Sequence, residues 1–228
     1  MRRTKEAALE TRDRILDSAE TVFYQRGVAH TSLSDVAAAT GVTRGAIYWH
    51  FRNKADLFSA MIKRVQVPME ALFAATLDPL EANPVDRIRD AIVLCLRDVA
   101  NNEHVRRVFD ILLTKCEYSA QMGQLRERNA IATGAARHQI ACALLNAVQK
   151  SQLPADLDVR RAAAMLHAMI AGVLREWLLD NSALCLPIDA ERIADASLDL
   201  LRHSAALRVC SKDPVQGATG TLTNEFRR

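Results

Sequence analysis

Glycine and proline are scarce in this chain, 8 and 6 among 228 residues, and aromatic side chains make up only 5%. Such a composition excludes collagen-like and Pro/Gly-rich disordered chains and leaves few points at which a helix would be broken. Strand-like alternation, internal repeats and a glycine-rich phosphate loop are all missing. Met1 is followed at once by Arg2, Arg3, Lys5 and Glu6, with no apolar signal core. The longest mainly apolar run without Asp, Glu, Lys or Arg is Ala162–Leu174, 13 residues, short of the roughly 20 that cross a bilayer. The five cysteines, Cys95, Cys116, Cys142, Cys185 and Cys210, are odd in number, scattered and form no C-x-x-C pair. That pattern fits reduced thiols better than a disulfide framework. A cytoplasmic protein without membrane contact is therefore expected.

Catalytic signatures are equally absent. There is no nucleophile elbow, no H-E-x-x-H and no dinucleotide fingerprint, so neither enzyme activity nor a cofactor is expected. His138 and Cys142, at i and i+4, are the single metal-like pair, and no further ligands stand nearby in sequence. No metal site is expected. Cys116 lies between Lys115 and Glu117, where a stabilised thiolate would sense redox state; a packing cysteine is the simpler reading.

What the chain does contain is helix. It is 50% hydrophobic, with Ala and Leu dominant, which points to an all-α protein with a sizeable core. Net charge is only +3, but residues 1–64 hold 11 Lys/Arg against 7 Asp/Glu. The positive excess thus sits in the N-terminal quarter, where a phosphate-facing module would place it. A solvated helical face would produce the same modest bias.

In that quarter, Ile15, Leu16, Ala19, Val22 and Phe23 recur at helical spacing, and Gly27 provides a left-handed stop. Ser32 with Asp35 reads as a capping box for a short second helix, which buries Leu33, Val36 and Ala37 and ends at Gly41. Thr43 caps a third helix, in which Ile47 and Phe51 point to the core. Asn53 and Asp56 cap a fourth, beginning at Lys54, which Pro68 is expected to kink or end. Asp78-Pro79 and Asn83-Pro84 mark a linker. Helices are then expected over about 85–100, 105–115, 121–149, 158–179 and 187–202, and a disordered, polar, Gly/Thr-rich tail from Lys212 to Arg228.

The segment Gly41–Phe51, G-V-T-R-G-A-I-Y-W-H-F, has the layout of a helix-turn-helix. Such a second helix enters the major groove, and its N-terminal residues reach base edges. Arg44 is placed to fork onto a guanine, Thr43 to cap the helix and touch phosphate, and Gly45 to bring the backbone close. Tyr48, Trp49 and His50 add bulk and polar tips. Ser32 at the preceding cap and Lys54 at the next helix start supply phosphate contacts. Arg2, Arg3 and Lys5 form a loose basic arm. Alternatively, Tyr48 or Trp49 packs as core and Lys54 is a solvated cap residue.

At these residues the chain resembles the TetR family of bacterial transcriptional regulators, over about Thr11 to Leu57. Within it, the opening R-R-T-K-E, the string V-T-R-G-A-I-Y-W-H-F-x-N-K-A and Lys115-Cys116-Glu117 resemble the AcrR/TtgR-type repressors of multidrug efflux pumps. The resemblance implies a helix-turn-helix head over 1–57, with the helix from about 54 as connector. It also implies a ligand-binding and dimerisation domain over 58–208, followed by a tail over 209–228. A homodimer would form through about 158–179 and 187–202, and bind a double-stranded DNA operator. A small-molecule inducer would occupy a pocket lined by Val65, Ile88, Ile92, Cys95, Phe109, Leu113, Ile140, His167, Ile170 and Leu174. Phe109 and Leu113 stand where better-known relatives carry polar groups, and His167 where they carry an aromatic one. A greasier pocket with one polar handle is implied. An activator of the same fold would look identical in sequence. A small-molecule module without DNA function would instead have Tyr48 and Trp49 buried.

Overall fold

The computed structural model describes residues 2–76, 78, 80–116 and 123–209, with the side-chain surroundings of 2–4 and 66–76 left aside. The expectations for Glu117, Pro79 and the tail from 210 lie outside the described residues. Among those described, the regular structure is helical, joined by short turns, apart from a single bridge pairing Leu157 with Arg208.

Helix α1 (Arg2–Arg26) runs into Gly27, whose φ of +77° opens the turn. The basic arm expected at Arg2, Arg3 and Lys5 is therefore the first turn of a 25-residue helix, not a loose strand of chain. The uninterrupted helix formers Lys5 to Leu9 carry it outward. α2 (Leu33–Thr40) begins in the expected box: the Asp35 amide donates to Ser32 Oγ at 3.2 Å, and the Ser32 amide to Asp35 Oδ2 at 2.8 Å. Gly41, at φ +74°, ends it and sends its amide back to Ala37 and Ala38. α3 (Arg44–His50) starts at Thr43, whose hydroxyl accepts from the Ala46 amide at 3.2 Å.

α4 (Lys54–Thr76) is capped by Asn53, with the Asp56 amide donating to its side chain at 2.8 Å. Pro68 does not end this helix, which continues eight residues beyond it to Thr76. A proline removes one main-chain donor, a loss that a long packed helix absorbs. α5 (Pro84–Asn101), α6 (Glu103–Leu113), α7 (Gly123–Gln149), α8 (Val159–Leu179) and α9 (Leu186–His203) follow, each within two residues of its sequence expectation. Gln152 in the turn after α7 ties the start of α5, accepting from the Val85 amide at 3.1 Å and donating to the Ala82 carbonyl at 2.8 Å.

One hydrophobic core runs from Ile15 in α1 through Leu57, Phe58 and Met61 in α4 to Leu198 and Leu201 in α9. α4 packs on α1 on one side and on α5, α6 and α7 on the other. α8 is long and apolar enough by composition to cross a bilayer, against the expectation drawn from its shorter uncharged stretch. Within the chain it buries only Ala162, Ala163, Leu166 and Leu174. The opposite ridge, Met165, Ala168, Gly172 and Leu179, is exposed.

A polar cluster stands where α1 meets α4 and α6. Glu20 is 5% exposed and contacts His104 Nδ1 and, at 3.7 Å, Arg64, which also reaches Asp17 at 2.7 Å. Burial outweighs these cations and holds the Glu20 carboxyl above its ordinary value of 4.5. Its proton is thus held more tightly in the folded chain than in the unfolded one. The associated stability is complete below pH 4.5 and is lost as pH rises through the raised value. Glu20→Gln is expected to flatten the decline in melting temperature above that pH, measured by thermal melts from about pH 4 to 8; parallel profiles for both proteins would refute this.

Candidate nucleic-acid interface

The short α3 is held from behind. Ile47 and Phe51 are fully buried, and the Phe51 amide closes the helix on the Ile47 carbonyl at 2.9 Å. Behind the Phe51 ring, 5.2 Å from its centroid, lies the guanidinium of Arg12 from α1. The helix is therefore anchored on one face and free on the other.

On the free face stand Arg44, Gly45, Tyr48 and Trp49. Tyr48 is 47% exposed and Trp49 74%, so neither packs as core. The Arg44 guanidinium lies 5.9 Å from the centre of the Tyr48 ring, and Trp49 meets His50 edge-on with centroids 4.6 Å apart. These contacts preorder four long side chains on two turns of helix. His50 is half-buried, and burial together with the nearby Arg12 cation pushes its pKa below the ordinary 6.5. At neutral pH it is therefore an uncharged imidazole able to donate and accept.

Between the start of α2 and the end of α3 lies an open cleft of about 520 Å³, lined by Ser32, Tyr48, Arg52, Asn53 and Lys54 among others. Ser32 Oγ is engaged by Asp35 in both directions, so it enters this cleft as a fixed group. Lys54 is placed differently from the free clamp of the sequence reading. Its ammonium donates to the Val28 carbonyl at 2.7 Å and the Ala29 carbonyl at 3.1 Å. Burial lowers its pKa. Lys54 is thus a tie from α4 to the α1–α2 turn, where the Val28 amide also reaches the Lys115 carbonyl at 3.5 Å. Arg12 and Arg52 were missed in the sequence. Arg52 was legible as a cation inside the motif; Arg12, 39 residues before Phe51, carried no local signal.

The ten pocket residues come from α4 to α8. Val65, Ile88, Ile92 and Leu174 are buried in the common core, and Cys95, Phe109, Leu113, Ile140 and Ile170 pack half-buried against it. Burial, with a smaller effect of Asp98, pushes the Cys95 thiol up to about 12, so it behaves as a neutral apolar group. His167 is half-buried, and burial, then the Arg137 cation, lowers its pKa. Neither the head cleft nor a smaller groove among α1, α6 and α8 is lined by any of the ten.

Residues 15–61 match the family of bacterial regulatory proteins of the tetR type, and residues 83–203 the C-terminal region of MAATS-type transcriptional repressors. The chain is 41% identical to the HTH-type transcriptional regulator TtgR of Pseudomonas putida, over 91% of this chain and 99% of that one. It is 36% identical to the HTH-type transcriptional repressor BepR of Brucella suis, over 90% and 98%. Among solved structures, NalD, the secondary repressor of the MexAB-OprM multidrug efflux pump in Pseudomonas aeruginosa, superposes with a TM-score of 0.77 at 32% identity, covering 86% and 99%. The SmeT–triclosan complex does so at 0.78 and 30% identity, covering 90% and 99%. The named relatives are regulators, not enzymes.

Lys54→Met keeps the apolar stem but leaves the Val28 and Ala29 carbonyls without their donor. A loss of about 1–3 kcal/mol is expected, read as a lower midpoint in urea; an unchanged midpoint would show that the tie contributes nothing.

Proposed function

This chain belongs to the TetR family of bacterial transcriptional regulators, and we propose that it is a ligand-responsive repressor of a multidrug efflux operon. The observation that carries this is the free face of α3, where Arg44, Tyr48 and Trp49 stand exposed on a helix capped and anchored from behind. A small-molecule module without DNA function would have buried those two rings. Repression rather than activation is supported by relatives such as BepR and NalD, both named as repressors.

In this reading α3 enters the major groove. Arg44 forks onto a guanine, Thr43 and Ser32 meet phosphates, and Gly45 lets the backbone approach. Tyr48, Trp49 and His50 contact thymine methyls or phosphate oxygens. Lys54 acts mainly by holding the turn before α2, with the amides at the start of α4 facing the backbone. Arg52 adds charge in the cleft, and Arg12 supports α3 through Phe51.

The active species is a homodimer through α8 and α9. Supporting this is the exposed ridge of α8, an apolar stripe that one protomer leaves uncovered. A two-fold axis there sets the two α3 helices about one turn of DNA apart, roughly 34–36 Å, on a pseudo-palindromic operator. The inducer is an apolar or amphipathic compound that opens the core around Ile92, Phe109, Ile140 and His167. It prefers the conformer whose heads are wrongly spaced, and so lowers DNA affinity by its differential affinity for the two states. Pro68 in α4 is the joint proposed to relay this. The protein acts in the cytoplasm.

Selection of bound duplexes from a random pool tests the DNA reading, and recovery of a palindrome with half-sites one turn apart is expected. Weak binding without an enriched sequence would reduce the head to architecture. On the selected site, Arg44→Ala is expected to cost about 1–3 kcal/mol and to relax preference at one base pair; equal weakening on every sequence would make Arg44 a phosphate contact. For the dimer, a Cβ on Gly172 meets nothing within 4 Å in the protomer, so Gly172→Arg is compatible with the fold. Light scattering should report a monomer, and a persisting dimer would rule out this face.

A further inference from the structure

Where α1, α6 and the end of α8 meet, a groove of about 210 Å³ is lined by Tyr24, Arg106, Arg107, Asp110, Trp177 and Asn181. None of these residues belongs to the DNA-reading face or to the ten core positions, so the groove is a separate feature.

Its charges are unevenly matched. Arg107 pairs with Glu103 and lies 5.8 Å from the centre of the Tyr24 ring. Lys115 lies 4.6 Å from the same ring and 3.8 Å from Asp110, whose carboxylate also takes the Thr114 hydroxyl. Arg106 donates one bond, at 3.2 Å, to the Ala100 carbonyl. Among the described residues no carboxylate forms an ion pair with it. Two guanidiniums and one carboxylate thus line the groove; Arg107 and Asp110 each have a partner just outside it, and the Arg106 guanidinium is half-buried at its wall.

The uncharged surface is as specific. Two cations already cover Tyr24, which leaves the half-buried indole of Trp177 as the open aromatic wall, with the Asn181 amide at the rim. The volume falls below the roughly 300–1,000 Å³ of sites for drug-sized molecules. It suits one ring with a small substituent.

We infer that this groove is a second ligand site, for a one-ring organic monoanion. The carboxylate pairs with the Arg106 guanidinium, whose fork matches it, and the ring lies against Trp177. Because α1 belongs to the head and α6 and α8 to the body, a bound anion joins the two parts across their boundary. That distinguishes it from a compound in the central core, which would part the helices it enters.

The test uses the full chain and benzoate. The sequence has two tryptophans, Trp49 and Trp177, so Trp49→Phe leaves the groove's indole as the single reporter. Titration with benzoate at constant ionic strength is expected to give a saturable change in its emission. Arg106→Gln should weaken that binding about tenfold or more, Arg106→Lys, which keeps the charge but loses the fork, should fall between the two, and the neutral isostere benzamide should bind at least about tenfold more weakly than benzoate. A non-saturable response, equal affinity for benzoate and benzamide, or an unaltered Arg106→Gln titration would overturn the assignment. The assay contains no DNA, so its failure would leave the repressor reading standing, and failure of operator selection would leave this site standing.

Discussion

Everything in this molecule depends on one helix packing in two cores at once. α4 presents Leu57 and Phe58 to the head, where Phe58 meets Phe23 of α1 edge-on with centroids 6.0 Å apart, and Met61, Ile62 and Val65 continue the same buried stripe into the body. A head of three short helices has too little core to be stable alone. By sharing α4 it takes its stability from the body, and the position of each becomes a condition on the other. Packed interfaces of this kind shift between discrete arrangements rather than deforming smoothly.

Polar groups set the precision of that shared core. Around Glu20, three helices meet through Asp17, Arg64 and His104 rather than through side chains that interdigitate freely. Such a cluster adds little net stability, since desolvation offsets most of the Coulomb gain, but it discriminates strongly against displaced partners. Lys54 does the same at the α1–α2 turn, where two carbonyls and one ammonium define a single geometry. The Lys115 carbonyl at the end of α6 touches that turn too. The turn before the DNA-reading helices is thus in direct contact with the helix that carries Phe109 and Leu113. A change of packing around those two side chains has a path of a few residues to the head.

α8 shows how one helix serves two solvents of different kinds. Ala162, Leu166 and Leu174 face the core, and Trp177 the groove, while Met165, Ala168 and Gly172 are exposed on the far side. Small residues permit close approach of a second helix, and an apolar ridge of that length left in water is unfavourable.

Much of the architecture was legible in the sequence because the signals that mark helix ends are local. The Ser32–Asp35 box, the Gly27 and Gly41 stops and the Thr43 and Asn53 caps each involve atoms within four residues, and each formed where read. The exposed set Arg44, Tyr48 and Trp49 followed from the same spacing, because the buried Ile47 and Phe51 define which side of α3 is free. What only the tertiary structure decided depends on residues far apart in the chain. Lys54 turned inward because carbonyls 25 and 26 residues earlier lay within reach. Arg12 came to rest on Phe51, and Pro68 was carried through α4. Among the described residues, no carboxylate came to pair with Arg106. By itself the sequence determined where helices begin, end and turn their apolar faces, since those are short-range balances of hydrogen bonding and burial. Which polar groups found partners, and where a hollow remained, was decided by packing between helices, which no local pattern encodes.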